Sequence, residues 1–172
     1  VEIDDVTGMA AMAQHVAALG HTRVGVVMRT TRLGHSGDPG PVEPIAADLD
    51  AIVNRTIRGR LEAVLGVFPD AVRVEAGGRN VGAGAAAARR LLDRPDRPTA
   101  ILAQNDMLAA GVVQAALALG LAVRGDVTVT GFDGVDVAGL GRQLTTVRQP
   151  LHERGHRAGE LVPERGEHDR AA

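Results

Sequence analysis

Two short motifs in the sequence combine residue types at spacings that other proteins use for chemistry. Gly82, Gly84 and Ala87 fit the pattern G-x-G-x-x-A. In dinucleotide-binding proteins, these glycines turn the chain from a strand into a helix whose N-terminus meets a pyrophosphate. Asp106 follows about 20 residues later, where such proteins place a ribose-binding carboxylate. The pattern therefore raises the hypothesis of a nicotinamide or flavin enzyme.

The position of the glycines argues against that hypothesis. A predicted strand ends near Ala76, and residues 77–81 separate this end from Gly82. If Asn80 caps the following helix, Gly82 and Gly84 lie in its first turn as small residues that allow close helix–sheet packing. Glycine is also abundant, at 22 of 172 residues, so chance matches arise easily. We therefore predict packing glycines and no cofactor.

The second motif, His152-Glu153-x-x-His156, has the spacing of a zinc-protease helix, with two imidazoles on one face and a glutamate as general base. A catalytic zinc needs a third protein ligand, and the extended pattern would place it at Val162. Glu160 and His168 are the other nearby candidates. We predict that the histidines are solvated on a surface helix and that no metal binds.

Polar residues at the ends of predicted strands form a third candidate group. Asn105 and Asp106 lie between a strand and a helix, and Asp133 follows another strand directly. In parallel α/β sheets, ligands bind at the carboxyl ends of the strands. One member of the Asn105–Asp106 pair is expected to cap the helix while the other faces a cleft, with Asp133 nearby. The segments 29 onward, 76–80, 104–106 and 132–136 are therefore the places to look for a site.

The elements that position these residues alternate along the chain. Strands are predicted at 23–28, 71–76, 99–104, 126–132 and 144–147. Helices are predicted between an N-cap at Thr7 and a stop at Gly20, at 47–65, 81–93 and 106–119, and after Pro150, with 29–46 as a loop. This alternation indicates an α/β fold with a parallel sheet flanked by helices on both faces.

Composition narrows the classes of function. The net charge of -2 and pI near 6.3 do not favour a nucleic-acid-binding surface. The absence of cysteine excludes disulfides and thiolate chemistry. The sequence shows neither a membrane span of about 18 apolar residues nor a signal peptide, so we predict no membrane partner. The strand-like start at Val1 is typical of a fragment boundary, and residues 163–172 are predicted to be a disordered tail.

The order and spacing of the strand-end residues resemble the C-terminal half of the LacI/GalR family of bacterial transcriptional regulators, over roughly residues 1–161. The pieces that carry the resemblance are Asn105-Asp106 with Met107, Ala109 and Gly111; Gly120-Leu121 with Val123 and Asp126-Val127; Gly131-Phe132-Asp133; and Leu144-Thr145-Thr146-Val147 with Gln149-Pro150. Upstream, residues 1–5 and 19–27 fit the family's entry into the same lobe.

The resemblance implies a cytoplasmic effector-binding domain without catalysis, in which residues 1–162 form mainly the C-terminal lobe of a periplasmic-binding-protein-like fold. In the family, a small effector such as a sugar or purine binds between two lobes. Binding there alters how a homodimer fits operator DNA, a coupling between distant sites. The DNA-binding head and most of the N-terminal lobe are expected to be absent from this sequence.

The resemblance also implies site residues. Asn105 and Asp133 would be the polar groups of the cleft and Leu102 its apolar wall, and an aromatic platform for sugar stacking would come from Phe132 or from the missing lobe.

The family's cleft arginine precedes a glycine by three positions. Aligning Gly59 puts Thr56 in that slot, so Arg55 and Arg58 both stay candidates.

Two other functions are weighed against the regulator. A periplasmic-type solute-binding protein for sugar uptake would use the same lobe, and a dinucleotide-binding enzyme would explain the glycine pattern. A helix-turn-helix encoded before Val1 would favour the regulator, whereas a secretory signal there would favour uptake.

Overall fold

The computed structural model describes residues 4–29, 37–137 and 144–160. The helices are α1 (Asp5–Ala18), α2 (Arg55–Leu65), α3 (Val81–Leu92), α4 (Asp106–Ala118) and α5 (Leu151–Glu160). The strands are β1 (Val24–Met28), β2 (Glu43–Pro44), β3 (Val72–Glu75), β4 (Ala100–Ala103), β5 (Thr128–Asp133) and β6 (Thr145–Arg148). The predicted start at residues 1–3 and the predicted tail at 163–172 lie outside the described residues.

The strands form one sheet in the order β2-β3-β1-β4-β5-β6. Every neighbouring pair is parallel except β2 with β3, which is antiparallel. All five residues of β1 are buried, as are all four of β4. Such continuous apolar strands are typical of a parallel sheet covered on both faces. The predicted α/β class is confirmed.

Helices cover the sheet on two sides because successive strand residues point to opposite faces. Val26 and Leu102 pack with α1 and α2 in one apolar cluster. Val27 and Ile101 pack with α3 and α4 in a second cluster on the other face. The sheet is therefore the middle layer. Because helices cover its faces, a ligand-binding site is expected at an edge of the sheet.

Two helix starts differ from the sequence prediction. Asp4, not Thr7, caps α1, because its carboxylate accepts a hydrogen bond from the Thr7 amide at 3.0 Å and the helix begins at Asp5. The helix predicted over 47–65 begins only at Arg55, where Asn54 caps it, after a 3₁₀ turn at Leu49–Ala51. In both cases a local side-chain cap defines the start.

The glycines of α3 serve packing, although against a helix rather than the sheet. A Cβ on Gly84 would lie 2.5 Å from the carbonyl oxygen of Leu108 in α4. A Cβ on Gly111 of α4 would lie 2.2 Å from the carbonyl oxygen of Val81. Gly82 has no such contact, since the one atom near its Cβ position is Asn80 Oδ1 at 3.5 Å. The G-x-G-x-x-A pattern of α3 is therefore explained by the close crossing of α3 and α4.

Candidate ligand-binding site

The carboxyl edge of the sheet has a topological switch point between β1 and β4. These strands are neighbours, yet the helix that follows β1 packs on one face and the helix that follows β4 packs on the other. The two connections diverge at this point, where parallel α/β sheets have a crevice that binds ligands, and we call this place the crevice. Arg29 follows β1 and Gln104 follows β4, so both lie at this edge.

Arg60 of α2 forms the base of the crevice. Its guanidinium donates to the Gln104 carbonyl oxygen and to Asp5 Oδ1, each at 2.5 Å. The guanidinium carbon also lies 3.6 Å from the ring centroid of Phe132. The arginine is only 2% exposed. A buried charge held by a carboxylate, a carbonyl and an aromatic face is fixed in place.

Gln104 joins the two strands and α2 across the crevice. Its Oε1 accepts from the Arg29 amide at 3.2 Å, and its Nε2 donates to the Ile57 carbonyl at 3.2 Å. The residue has no exposed surface. Because both ends of the amide have partners, Gln104 is a structural brace, which leaves ligand contact to its neighbours.

The roles of Asn105 and Asp106 differ from the sequence prediction, in which one residue caps the helix and the other faces the cleft. Asn105 Oδ1 caps α4 by accepting from the Leu108 amide at 2.7 Å, and the cap does not use its side-chain NH2. Asp106 does not face the cleft: it is 1% exposed and accepts from the Val135 amide and the Thr146 hydroxyl, each at 2.6 Å. The carboxylate therefore ties α4 to β6 and to the chain after β5.

Asp133 is the half-buried carboxylate at the end of β5. Burial raises the pKa of Asp133 to about 6, with Arg60 acting in the opposite direction. Gln149 Nε2 donates to its Oδ1 at 2.6 Å, and its backbone φ is 116°, a conformation that costs energy in a residue with a side chain. Desolvation together with backbone strain is typical of a functional position.

Arg29 is the cation at the opening of the crevice. Burial is the main factor that lowers the pKa of Arg29, and the positive charges of Arg60 and Arg79 lower it further. Its Nε is buried without a hydrogen-bond partner among the described residues. The guanidinium therefore has capacity for a ligand.

The other predicted site residues lie elsewhere. Leu102 and Phe132 have no exposed surface and belong to the core cluster under α1 and α2, so their predicted contact with a ligand stays a prediction. Leu102 packs toward α1 and α2 while its neighbours Ile101 and Ala103 pack toward α3 and α4, and Arg60 covers the ring of Phe132.

Of the two arginine candidates, Arg55 is exposed at the start of α2. Arg58 lies on the outer side of the same helix and pairs with Asp50 at 2.7 Å and Glu62 at 2.8 Å. Arg60, by contrast, contacts the Gln104 carbonyl oxygen at the carboxyl edge.

The spacing of apolar residues in α2 contains a signal for Arg60. Ile57, Leu61 and Val64 form the buried stripe of α2, and Arg60 lies three residues after Ile57 and four before Val64, within that stripe. A charge inside an apolar stripe needs a partner, which points to a buried ion pair.

The second motif does form a helix, α5, but its imidazoles are solvent-exposed. His156 contacts Glu160 at 3.2 Å, one turn later. Among the described residues, no three histidine, aspartate or glutamate side chains are grouped for a metal ion. None of the described helices is both long and apolar enough to cross a membrane.

A parallel sheet with polar residues converging at its switch point defines a ligand-binding α/β domain. Residues 13–172 match the family described as a periplasmic binding protein-like domain. The chain therefore belongs to that family, and its resemblance to the LacI/GalR regulators is confirmed by its relatives.

Among those relatives, an HTH-type transcriptional regulator of Mycobacterium tuberculosis is 38% identical across 94% of this chain and 46% of its own length. One from Mycolicibacterium smegmatis is 35% identical with the same coverage of 94% and 46%. The chain thus spans about half the length of the curated relatives it matches. These relatives are regulators rather than enzymes.

Solved structures agree. A LacI-family regulator from Corynebacterium glutamicum has a TM-score of 0.77 at 29% identity, covering 91% of this chain and 47% of that one. A LacI-family regulator from an Arthrobacter species, solved in complex with lactose, has a TM-score of 0.69 at 26% identity, covering 92% and 54%.

Proposed function

We propose that this chain is the effector-binding part, mainly the C-terminal lobe, of a cytoplasmic LacI-type transcriptional regulator. A small effector, such as a sugar or a related metabolite, binds at the carboxyl edge of the sheet and controls operator binding by a homodimer. The observation that carries the proposal is the convergence of Asn105, Asp133 and Arg29 at the switch point of the sheet.

The chemistry of these side chains suits a hydroxylated ligand. An ionised Asp133 accepts hydrogen bonds from two hydroxyls, while the Asn105 amide and the Arg29 guanidinium donate. Arg60 lies beneath them, held by Asp5 and Phe132, and keeps the base of the crevice rigid. Preorganised polar groups of this kind give a pocket its specificity. The relative solved with lactose supports a sugar as the class of effector.

The site also has a route by which binding reaches the rest of the domain. Asp133 contacts Gln149 directly before α5, and Asp106 contacts Thr146 of β6. A ligand that competes for Asp133 changes the contact that holds this last segment. In a two-lobed protein, differential contacts of this type shift the relative lobe orientation and with it the fit to DNA.

Effector-dependent DNA binding by the complete protein tests the proposal. The complete protein would be titrated onto a DNA fragment from its own promoter region in the presence of a panel of neutral and acidic sugars and nucleosides. We expect one member to change the apparent DNA affinity about tenfold, the usual range of allosteric coupling. Tight binding of a panel member with no DNA binding under any condition would contradict regulation and favour the alternative, a solute-binding protein for sugar uptake.

A further inference from the structure

Arg29 and Arg79 are two cationic side chains at the carboxyl edge of the neighbouring strands β1 and β3. Arg29 follows β1, the central strand, and Arg79 lies in the segment between β3 and α3. The two are close enough for the charge of Arg79 to lower the pKa of Arg29, after the larger effect of burial. Like charges placed together at the edge of a partly buried site repel one another and attract an anion.

The carboxylates near this pair are mostly occupied. Asp5 pairs with Arg60 at 2.5 Å. Asp106 accepts from the Val135 amide and the Thr146 hydroxyl. Asp133 and Asp5 are carboxylates whose negative charges raise the pKa of Arg29.

The ion pairs of the described residues include none to Arg29 or Arg79. The buried Nε of Arg29 has no hydrogen-bond partner within the described residues.

We propose that the effector carries an anionic group, a phosphate or a carboxylate, which Arg29 and Arg79 bind while Asp133 and Asn105 bind its hydroxyls. The inference rests on the proposed function and narrows its ligand from sugars in general to acidic or phosphorylated ones. A guanidinium presents paired N–H donors that match two oxygens of either anion. Binding would give the buried Nε of Arg29 its acceptor and remove the repulsion between the two arginines.

The position of the carboxylate refines the ligand further. Asp133 would repel an anion placed next to it, so the anionic group and the hydroxyls must lie at different ends of the ligand. A sugar phosphate and a sugar acid both satisfy this arrangement. Inorganic phosphate alone would occupy the arginine end only.

The test uses the complete protein and follows the arginine Nε–H signals by NMR. Sodium phosphate is titrated against sodium chloride at constant ionic strength, which separates specific binding from screening. We expect saturable shifts of the Arg29 and Arg79 signals. The Arg79 shift should be lost in Arg29→Gln, and the Arg29 shift should be lost in Arg79→Gln. Arg58→Gln is the matched control, because Arg58 pairs with Asp50 and Glu62 on the outer side of α2.

A second arm names the class of anion. Affinities for glucose, glucose 6-phosphate and gluconate are compared in the wild type and in Arg29→Gln. Removing one charged hydrogen bond is expected to weaken the acidic ligand that binds best about tenfold or more, and glucose less than about twofold. Glucose 6-phosphate affected alone indicates a phosphate, and gluconate affected alone indicates a carboxylate.

Shifts that grow linearly with phosphate, or that persist in both arginine variants, would overturn the inference. So would a neutral sugar that releases DNA with an affinity unchanged in Arg29→Gln, and that result would leave the regulator intact. Saturable phosphate binding at the two arginines, in a protein that binds no promoter DNA, would instead support the anion site and refute the proposed regulator.

Discussion

The guanidinium carbon of Arg60 lies 3.6 Å from the ring centroid of Phe132, with both side chains buried. The arginine comes from α2 and the phenylalanine from β5, so the contact joins one helical layer to the strand that ends in Asp133. The same guanidinium also holds Asp5 and the Gln104 carbonyl. Arg60 thus organises the base of the crevice without needing to contact a ligand.

Replacing Arg60 with methionine tests this role. The variant leaves Asp5, whose side chain is 16% exposed, without its cation. Breaking a buried ion pair from one side typically costs about 3–5 kcal/mol. We expect the free energy of unfolding, measured with urea, to fall by about 3 kcal/mol.

Arg58→Met is the matched control on the same helix. Its partners Asp50 and Glu62 are 94% and 47% exposed, so its ion pairs are on the surface. Exposed pairs contribute less than about 1 kcal/mol. Equal losses of stability in Arg58→Met and Arg60→Met would contradict the special position of Arg60.

The glycines of α3 provide a second prediction. Gly84→Ala would place a methyl group 2.5 Å from the backbone of Leu108, so α3 and α4 must separate. We expect it to lower the free energy of unfolding by about 1–3 kcal/mol, as overpacking does. Gly82→Ala meets no backbone and gains helix propensity, so it should be neutral or stabilise slightly. The stabilities of the two variants are compared by calorimetric melting. A difference between them indicates packing glycines, whereas in a loop that binds phosphate a methyl group would be harmful at either position.

The pKa of Asp133 gives a third prediction. Its folded value of about 6 lies above the unfolded value of about 3.9, so the folded state binds the proton more tightly. Stability therefore falls as pH rises from about 4 to about 6, and the loss is complete above that window. Asp133→Asn removes the free-energy cost of burying an ionised carboxylate, and it retains a side-chain oxygen that can accept the hydrogen bond from Gln149.

At pH 7.5, Asp133→Asn should raise the free energy of unfolding by about 1 kcal/mol, after the full shift is discounted for a half-exposed side chain. That corresponds to a Tm increase of about 2–4 °C. The difference from wild type should vanish near pH 4. A variant that is less stable than wild type at pH 7.5 would mean that the ionised carboxylate stabilises the empty domain.

The sequence was sufficient for the fold because its strongest signals are local. β-branched runs such as 23–28, glycine stops at Gly20 and Gly120, and the Asn80 cap predict elements that the structure contains. The predicted start of this helix at residue 47 is wrong because apolar spacing extends upstream of Asn54, while the cap at Asn54 decides where α2 begins.

The site was only partly predictable. Strand-end position identified Asn105 and Asp133, because topology brings the carboxyl ends of parallel strands together. It could not show that Asp106 turns toward Thr146, or that Phe132 lies beneath Arg60, since both depend on contacts between residues far apart in sequence. The ligand-binding role of Asn105 and Asp133 stays a prediction.

The most direct test of the central claim is the effector-dependent melting shift of Asp133→Ala in the complete protein. Each member of the panel that raises the Tm of the wild type would be applied to Asp133→Ala and to Asp70→Ala, a control at an exposed position before β3. A bound ligand stabilises the folded state by mass action. The account predicts that the shift is lost in Asp133→Ala and kept in Asp70→Ala, whereas an unchanged shift in Asp133→Ala would contradict a site at the carboxyl edge.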